Sequence, residues 1–136
     1  MKLFTVDEAN ELIPRLELTM GRLQQLAFQL RSAAEVVARE LDKPLDDLEM
    51  SEAIAHRPDL RQMVDEMEAL VREIHDCGGQ FKGLELGLVD FPAEVDGEMG
   101  LLCWQYGEKE ITHWHRSDTG FSGRQPLPGV RSRALN

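Results

Sequence analysis

The sequence predicts an α+β fold: a long N-terminal antiparallel helical hairpin packed on a small antiparallel β-sheet of about three strands. Three observations carry this. Apolar residues recur at spacings of three, four and seven from Leu16 to Cys77, as a buried helical stripe requires. From Gln80 onward that period gives way to short apolar runs separated by turn dipeptides. Between the helical stretches, Lys43-Pro44 and Cys77-Gly78-Gly79 supply breaks. At 136 residues the chain is read as a single domain, 1–136. Residues 1–79 form the hairpin, 80–127 the β-rich part, and 128–136 a tail expected to be mobile.

Thr5-Val6-Asp7-Glu8 reads as a capping box, in which the Thr5 hydroxyl and the Glu8 carboxylate each take the other's backbone N–H. Pro14 has no N–H and crowds the preceding turn, so a kink or brief break is expected near Asn10 to Ile13. Beyond it, Leu16, Leu23, Leu30 and Val37 form one line and Met20, Ala27, Ala34 and Leu41 a second, with Leu26 and Ala33 between them. Leu45 to His56 is a connector with a short helix carrying Leu48 and Ile54. A second long helix starts after Arg57-Pro58-Asp59 and shows Leu60, Met63, Met67, Leu70, Ile74 and Cys77 as a heptad seam. Gly78 suits the left-handed position that closes it. The first helix is apolar over a wider face than one partner helix covers, and Phe28 lies off the stripe. Homodimerisation is therefore expected, through Met20, Leu23, Ala27, Phe28, Leu30 and Ala34.

Three strands are predicted, at Leu86 to Phe91, Gly100 to Tyr106 and Ile111 to His115. A type I′ turn at Asp96-Gly97 makes opposed residues sum to 193, which pairs Asp90 with Cys103 and sets Pro92 at a non-hydrogen-bonded site. One face then carries Val89, Phe91, Leu102, Trp104 and Tyr106 as core, and the other carries Asp90 beside Cys103. The second hairpin has two registers. A three-residue loop, Gly107 to Lys109, pairs Cys103 with His113 and Leu101 with His115, and gathers these groups on one face. A four-residue loop pairs Cys103 with Trp114 and disperses them.

Composition narrows the function. There are 25 acidic and 15 basic residues, a net charge of −10. That surface would repel a phosphate backbone, so no nucleic-acid partner is expected. No run approaches the ~20 apolar residues that span a bilayer, and acids come too early for a secretory leader. The expected setting is cytoplasmic, without a membrane partner, with Cys77 and Cys103 reduced. Residues 1–79 carry 17 acids and 9 bases, net −8, while 80–136 carry 8 and 6, net −2. The acidity is thus a solvated helical surface, and chemistry is to be sought in the β half.

There Asp90, Cys103, Glu108, His113 and His115 supply the carboxylate, thiolate and imidazole ligands that zinc and related divalent metals use. No CxxC or HExxH spacing accompanies them. The plainer reading makes Cys103 a small buried hydrophobe and the histidines ordinary hydrogen-bonded groups. A nucleophilic Cys103 with a histidine base is a third reading, although Asp90 beside the thiol would raise its pKa. Gly120-Phe121-Ser122-Gly123-Arg124 lacks the spacing of a phosphate loop and reads as a turn tucked against the sheet by Phe121.

The segments Phe4-Thr5-Val6-Asp7-Glu8-Ala9-Asn10, Gly87-Leu88-Val89-Asp90-Phe91-Pro92, Leu102-Cys103-Trp104, Gly107-Glu108, Trp114-His115, Gly120-Phe121 and Gly123-Arg124-Gln125-Pro126-Leu127 together resemble the bacterial domain-of-unknown-function 2203 family. The resemblance covers about Met1 to Leu127 and implies a small bacterial protein of helical and β-rich parts, with no established activity. It points to Asp90, Cys103, Glu108, His115 and Arg124 as one polar cluster and away from a site centred on His113; within that cluster Cys103, His115 and Asp90 are the expected metal ligands by residue type alone. Two functions are therefore expected in competition. One is a dimerising helical-hairpin interaction module. The other is a small-molecule or divalent-metal (zinc-like) binding protein, with enzymatic activity left open. A cytoskeletal or division-associated coiled-coil partner, resting only on heptads and acidity, ranks behind both.

Overall fold

The computed structural model describes residues 2–128. The capping box is present: Thr5 N donates to Glu8 Oε1 at 2.9 Å and Glu8 N to Thr5 Oγ1 at 3.1 Å. It opens α1, Val6–Glu11, which stops at Leu12 before α2 begins at Ile13 with Pro14 in its first turn. The break falls where the missing proline N–H requires it. Helix α2 runs Ile13–Glu40, α3 Met50–His56 and α4 Leu60–Asp76. The connector helix carries Ile54 but not Leu48, which instead follows a 3-10 turn at Leu45–Asp47.

Helices α2 and α4 are antiparallel. Leu16, Met20 and Leu23 share a core with Ile74 near the end of α4, whereas Val37 packs with Leu60 at its start. Between these ends Arg22 grips Glu66 with two hydrogen bonds of 2.7 and 3.0 Å. Helix α4 closes at Cys77, and Gly78 follows at φ 99°, a conformation L side chains rarely adopt. No helix among the described residues is long and apolar enough to cross a membrane.

The sheet has five strands rather than about three, in the order β1 (Gln80–Gly83), β2 (Leu88–Val95), β3 (Glu98–Gln105), β4 (His113–His115), β5 (Gln125–Pro126), all neighbours antiparallel. The two additional strands are short edges with at most one large apolar residue, too little for a period of two to show in sequence. The central hairpin runs up to the Val95–Glu98 pair, as the sum of 193 requires, because Asp96 and Gly97 both adopt positive φ, 51° and 79°, as a type I′ turn demands. Asp90 pairs with Cys103 and Pro92 with Leu101, as read from the sequence. In the second hairpin Cys103 pairs with His113 and Leu101 with His115. That is the gathering register, although β4 starts only at His113 and the connection is a longer loop.

Val89, Phe91, Leu102 and Trp104 point into a core with Ile13, Leu16 and Met20 of α2, and Trp114 joins them from β4. Tyr106, expected in that row, is 41% exposed. It lies one residue past β3, where the chain turns away, and touches Trp104 only edge-on. The opposite sheet face is also buried, since Leu88, Asp90, Leu101, Cys103 and His115 lie under the segment that follows β4.

Candidate functional site

The groups on that second face come from three adjacent strands. Asp90 sits in the middle of β2, Cys103 directly opposite on β3, and His115 on β4 one diagonal step away, each pointing to the same side by strand alternation. Their ligand atoms all lie within 4.8 Å of one another, and the three residues are only 1–2% exposed. His115 Nε2 is 2.9 Å from Asp90 Oδ2, and His115 Nδ1 is 2.8 Å from the Arg116 carbonyl oxygen. A carbonyl only accepts, so the Nδ1 proton is committed to it and Nε2 is the atom turned to the site. Asp90 Oδ1 is buried without a hydrogen-bond partner among the described residues. Burial raises the Asp90 carboxyl above the ordinary carboxylate range, opposed by the charge and hydrogen bond of His115. Burial, and then the neighbouring Asp90 charge, push the Cys103 thiol up to about 12. A thiol held that high is not a nucleophile at neutral pH, which removes the support for a Cys-His catalytic pair acting alone.

A cavity of about 200 Å³ adjoins the three groups. Lys82, Leu88, Leu101, Ser117, Gly120 and Phe121 complete its wall. Lys82, Ser117 and Phe121 were not singled out by chemistry in the sequence. For Lys82 and Ser117 the only signal was nearness in the chain to Asp90's partner strand and to His115, whereas Phe121 was expected to tuck its turn against the sheet.

The expected five-residue cluster is two neighbouring clusters. Glu108 and Arg124 lie beside the first and form their own pair, Arg124 Nη2 donating to Glu108 Oε2 at 2.6 Å. Glu108 is also a loop clasp: its Oε1 accepts Gln105 N at 2.7 Å and its carbonyl accepts Trp104 Nε1 at 3.1 Å. Two strong partners occupy the carboxylate, so Glu108 is not a free ligand. Arg124 is stacked over Phe121 at 5.2 Å and ties the last segment to this loop. Gly120-Arg124 is thus the turn the sequence suggested, its guanidinium held by Glu108 through Nη2 while Nε is buried without a hydrogen-bond partner among the described residues. His113 has Nδ1 at 2.8 Å from Thr112 Oγ1 and takes no part in the three-residue group. Burial, followed by the Arg124 charge, lowers its pKa.

The proposed dimer face also divides. Met20 and Leu23 are 0% and 1% exposed within one chain, so they cannot face a second copy. The wide stripe of α2 is used up by the sheet on one side and α4 on the other. Ala27, Leu30 and Ala34 are half-buried, and Phe28 is 73% exposed.

The model of a family described as an uncharacterized conserved protein, DUF2203, matches residues 2–127. The chain belongs to the DUF2203 family. No curated protein and no solved structure matches it. The family carries no activity to transfer, so the function of this DUF2203 chain has to be argued from Asp90, Cys103 and His115 themselves.

Proposed function

We propose that this DUF2203 protein binds a divalent metal ion of the zinc type through Asp90 Oδ, Cys103 Sγ and His115 Nε2. The observation that carries the reading is the convergence of a carboxylate, a thiol and an imidazole within 4.8 Å in a buried setting, with one carboxylate oxygen unpartnered. Tetrahedral bonds of zinc length separate ligand atoms by roughly 3.2–3.8 Å, a small adjustment from that spacing. A buried carboxylate oxygen with no donor is costly, and a cation satisfies it. The hydrogen bond from His115 Nδ1 to the Arg116 carbonyl is the outer contact that metal-bound imidazoles use to fix their orientation. Three protein ligands and an adjoining cavity leave a fourth position open, where a bound metal would act as a Lewis acid or activate water.

The test is elemental analysis of untagged protein, followed by zinc titration of the chelator-treated form. One equivalent of metal is expected, with affinity lowered at least ~10–100-fold in Cys103→Ser and His115→Gln. Absence of stoichiometric binding, with a thermal midpoint indifferent to chelator, would remove the reading. The free thiols of Cys77 and Cys103 support a cytoplasmic setting.

A second reading, homodimerisation, keeps one specific support. Phe28 is exposed beside a groove formed with Gln24, Ala27, Arg31, Leu84 and Glu85, on the side of α2 that neither the sheet nor α4 covers.

A further inference from the structure

We infer that the open position of the Asp90–Cys103–His115 metal takes a small organic carboxylate, its anionic end between the metal and Lys82 and its hydrocarbon end in the adjoining cavity. The inference rests on the metal-site reading above and names the class of ligand that site receives.

Charge comes first. A divalent ion with one carboxylate, one thiolate and a neutral imidazole sums to zero, so Lys82 leaves the cavity with an excess positive charge. The chain has four lysines. Lys2, Lys43 and Lys109 face the carboxylates of Glu8, Glu52 and Glu17 at 3.3, 2.7 and 3.6 Å. Lys82 instead lines the cavity, and its charge reaches Asp90.

The backbone is built to put it there. Gln80 pairs with Asp90 and Phe81 with Val89, but Gly83 pairs with Leu88, so Lys82 is an extra residue in a bulge of the edge strand β1. A bulge costs ladder hydrogen bonding and re-aims one side chain, and such bulges concentrate beside binding sites.

The remaining walls select among anions. Leu88, Leu101 and Phe121 are apolar, and Ser117 adds one hydroxyl. A volume of about 200 Å³ holds roughly six or seven water-sized groups, which suits a carboxylate of a few carbons. Phosphate would want more donors than one ammonium and one hydroxyl. The two neighbouring guanidiniums are engaged elsewhere, Arg124 by Glu108 and Arg116 by Glu98 at 3.0 Å.

The experiment uses the full chain loaded with one equivalent of cobalt(II), whose visible d–d bands report its ligands. Butyrate, phosphate and neutral butyramide are titrated separately. Butyrate is expected to shift the bands saturably and the other two not, with about tenfold weaker butyrate affinity in Lys82→Gln, the equivalent of one charge-assisted contact. Bands that ignore butyrate, respond equally in Lys82→Gln, or respond to phosphate in preference overturn the carboxylate assignment and leave the metal site standing. A chain that takes up no cobalt overturns both.

Discussion

Cys103 keeps its proton up to about pH 12 because burial and the Asp90 charge both penalise the thiolate, whereas an unperturbed thiol ionises near 9.0. Between those values the unfolded chain loses a proton that the folded chain retains, so the contribution is whole below about pH 9 and is lost as pH rises toward 12. The thermal midpoint of the metal-free protein is expected to fall as pH rises above about 9, and Cys103→Ala is expected to flatten that fall. An equally steep fall in the variant would show that another group carries it. The residue type and the Asp90 pairing were legible in the sequence, because an Asp-Gly turn fixes a register. The side of the sheet that His115 takes was not legible from turn chemistry, since two loop lengths fitted equally well, and only the family resemblance grouped it with Asp90 and Cys103.

Among the elements, α1 is short and is held by its ends. The Thr5–Glu8 box caps its start, and Asn10 near its end accepts Ile111 N at 2.7 Å through Oδ1, tying the helix to the loop before β4. Thr5→Ala removes one side-chain acceptor at an exposed position, so a loss of about 1 kcal/mol is expected. For a chain of this size that lowers the thermal midpoint by about 3–5 °C, readable by calorimetry. An unchanged midpoint would mean that the Asn10 contact alone holds the helix. The cap, the proline break and the Gly78 stop were all readable because each is a local rule about backbone donors or φ. Strands β1 and β5 were not, since their hydrogen bonds come from neighbours distant in sequence.

At the scale of the whole molecule, the central hairpin is covered on both faces: helices pack on the Trp104 side, and the segment after His115 lies over the Asp90 side. This double burial is what makes the three polar groups a buried cluster rather than a wet surface. It also spends Met20 and Leu23 inside the chain and leaves Phe28 outside. If that residue seats a second copy, light scattering gives twice the 15.4 kDa chain mass, and Phe28→Glu halves it with little change in stability. A monomer at high concentration in the parent protein would sink the dimer.

By itself the sequence determined the α+β class, the helical breaks, the Asp90–Cys103 pairing and the inventory of ligand-type side chains. These follow from period, turn chemistry and backbone donors, which act over a few residues. Only the tertiary structure decided that His115 joins Asp90 and Cys103, that Glu108 and Arg124 pair with each other beside them, and that a bulge brings Lys82 to the cavity. Those are outcomes of strand register and of the last segment folding back, where long-range packing selects among arrangements that local preferences leave nearly equal.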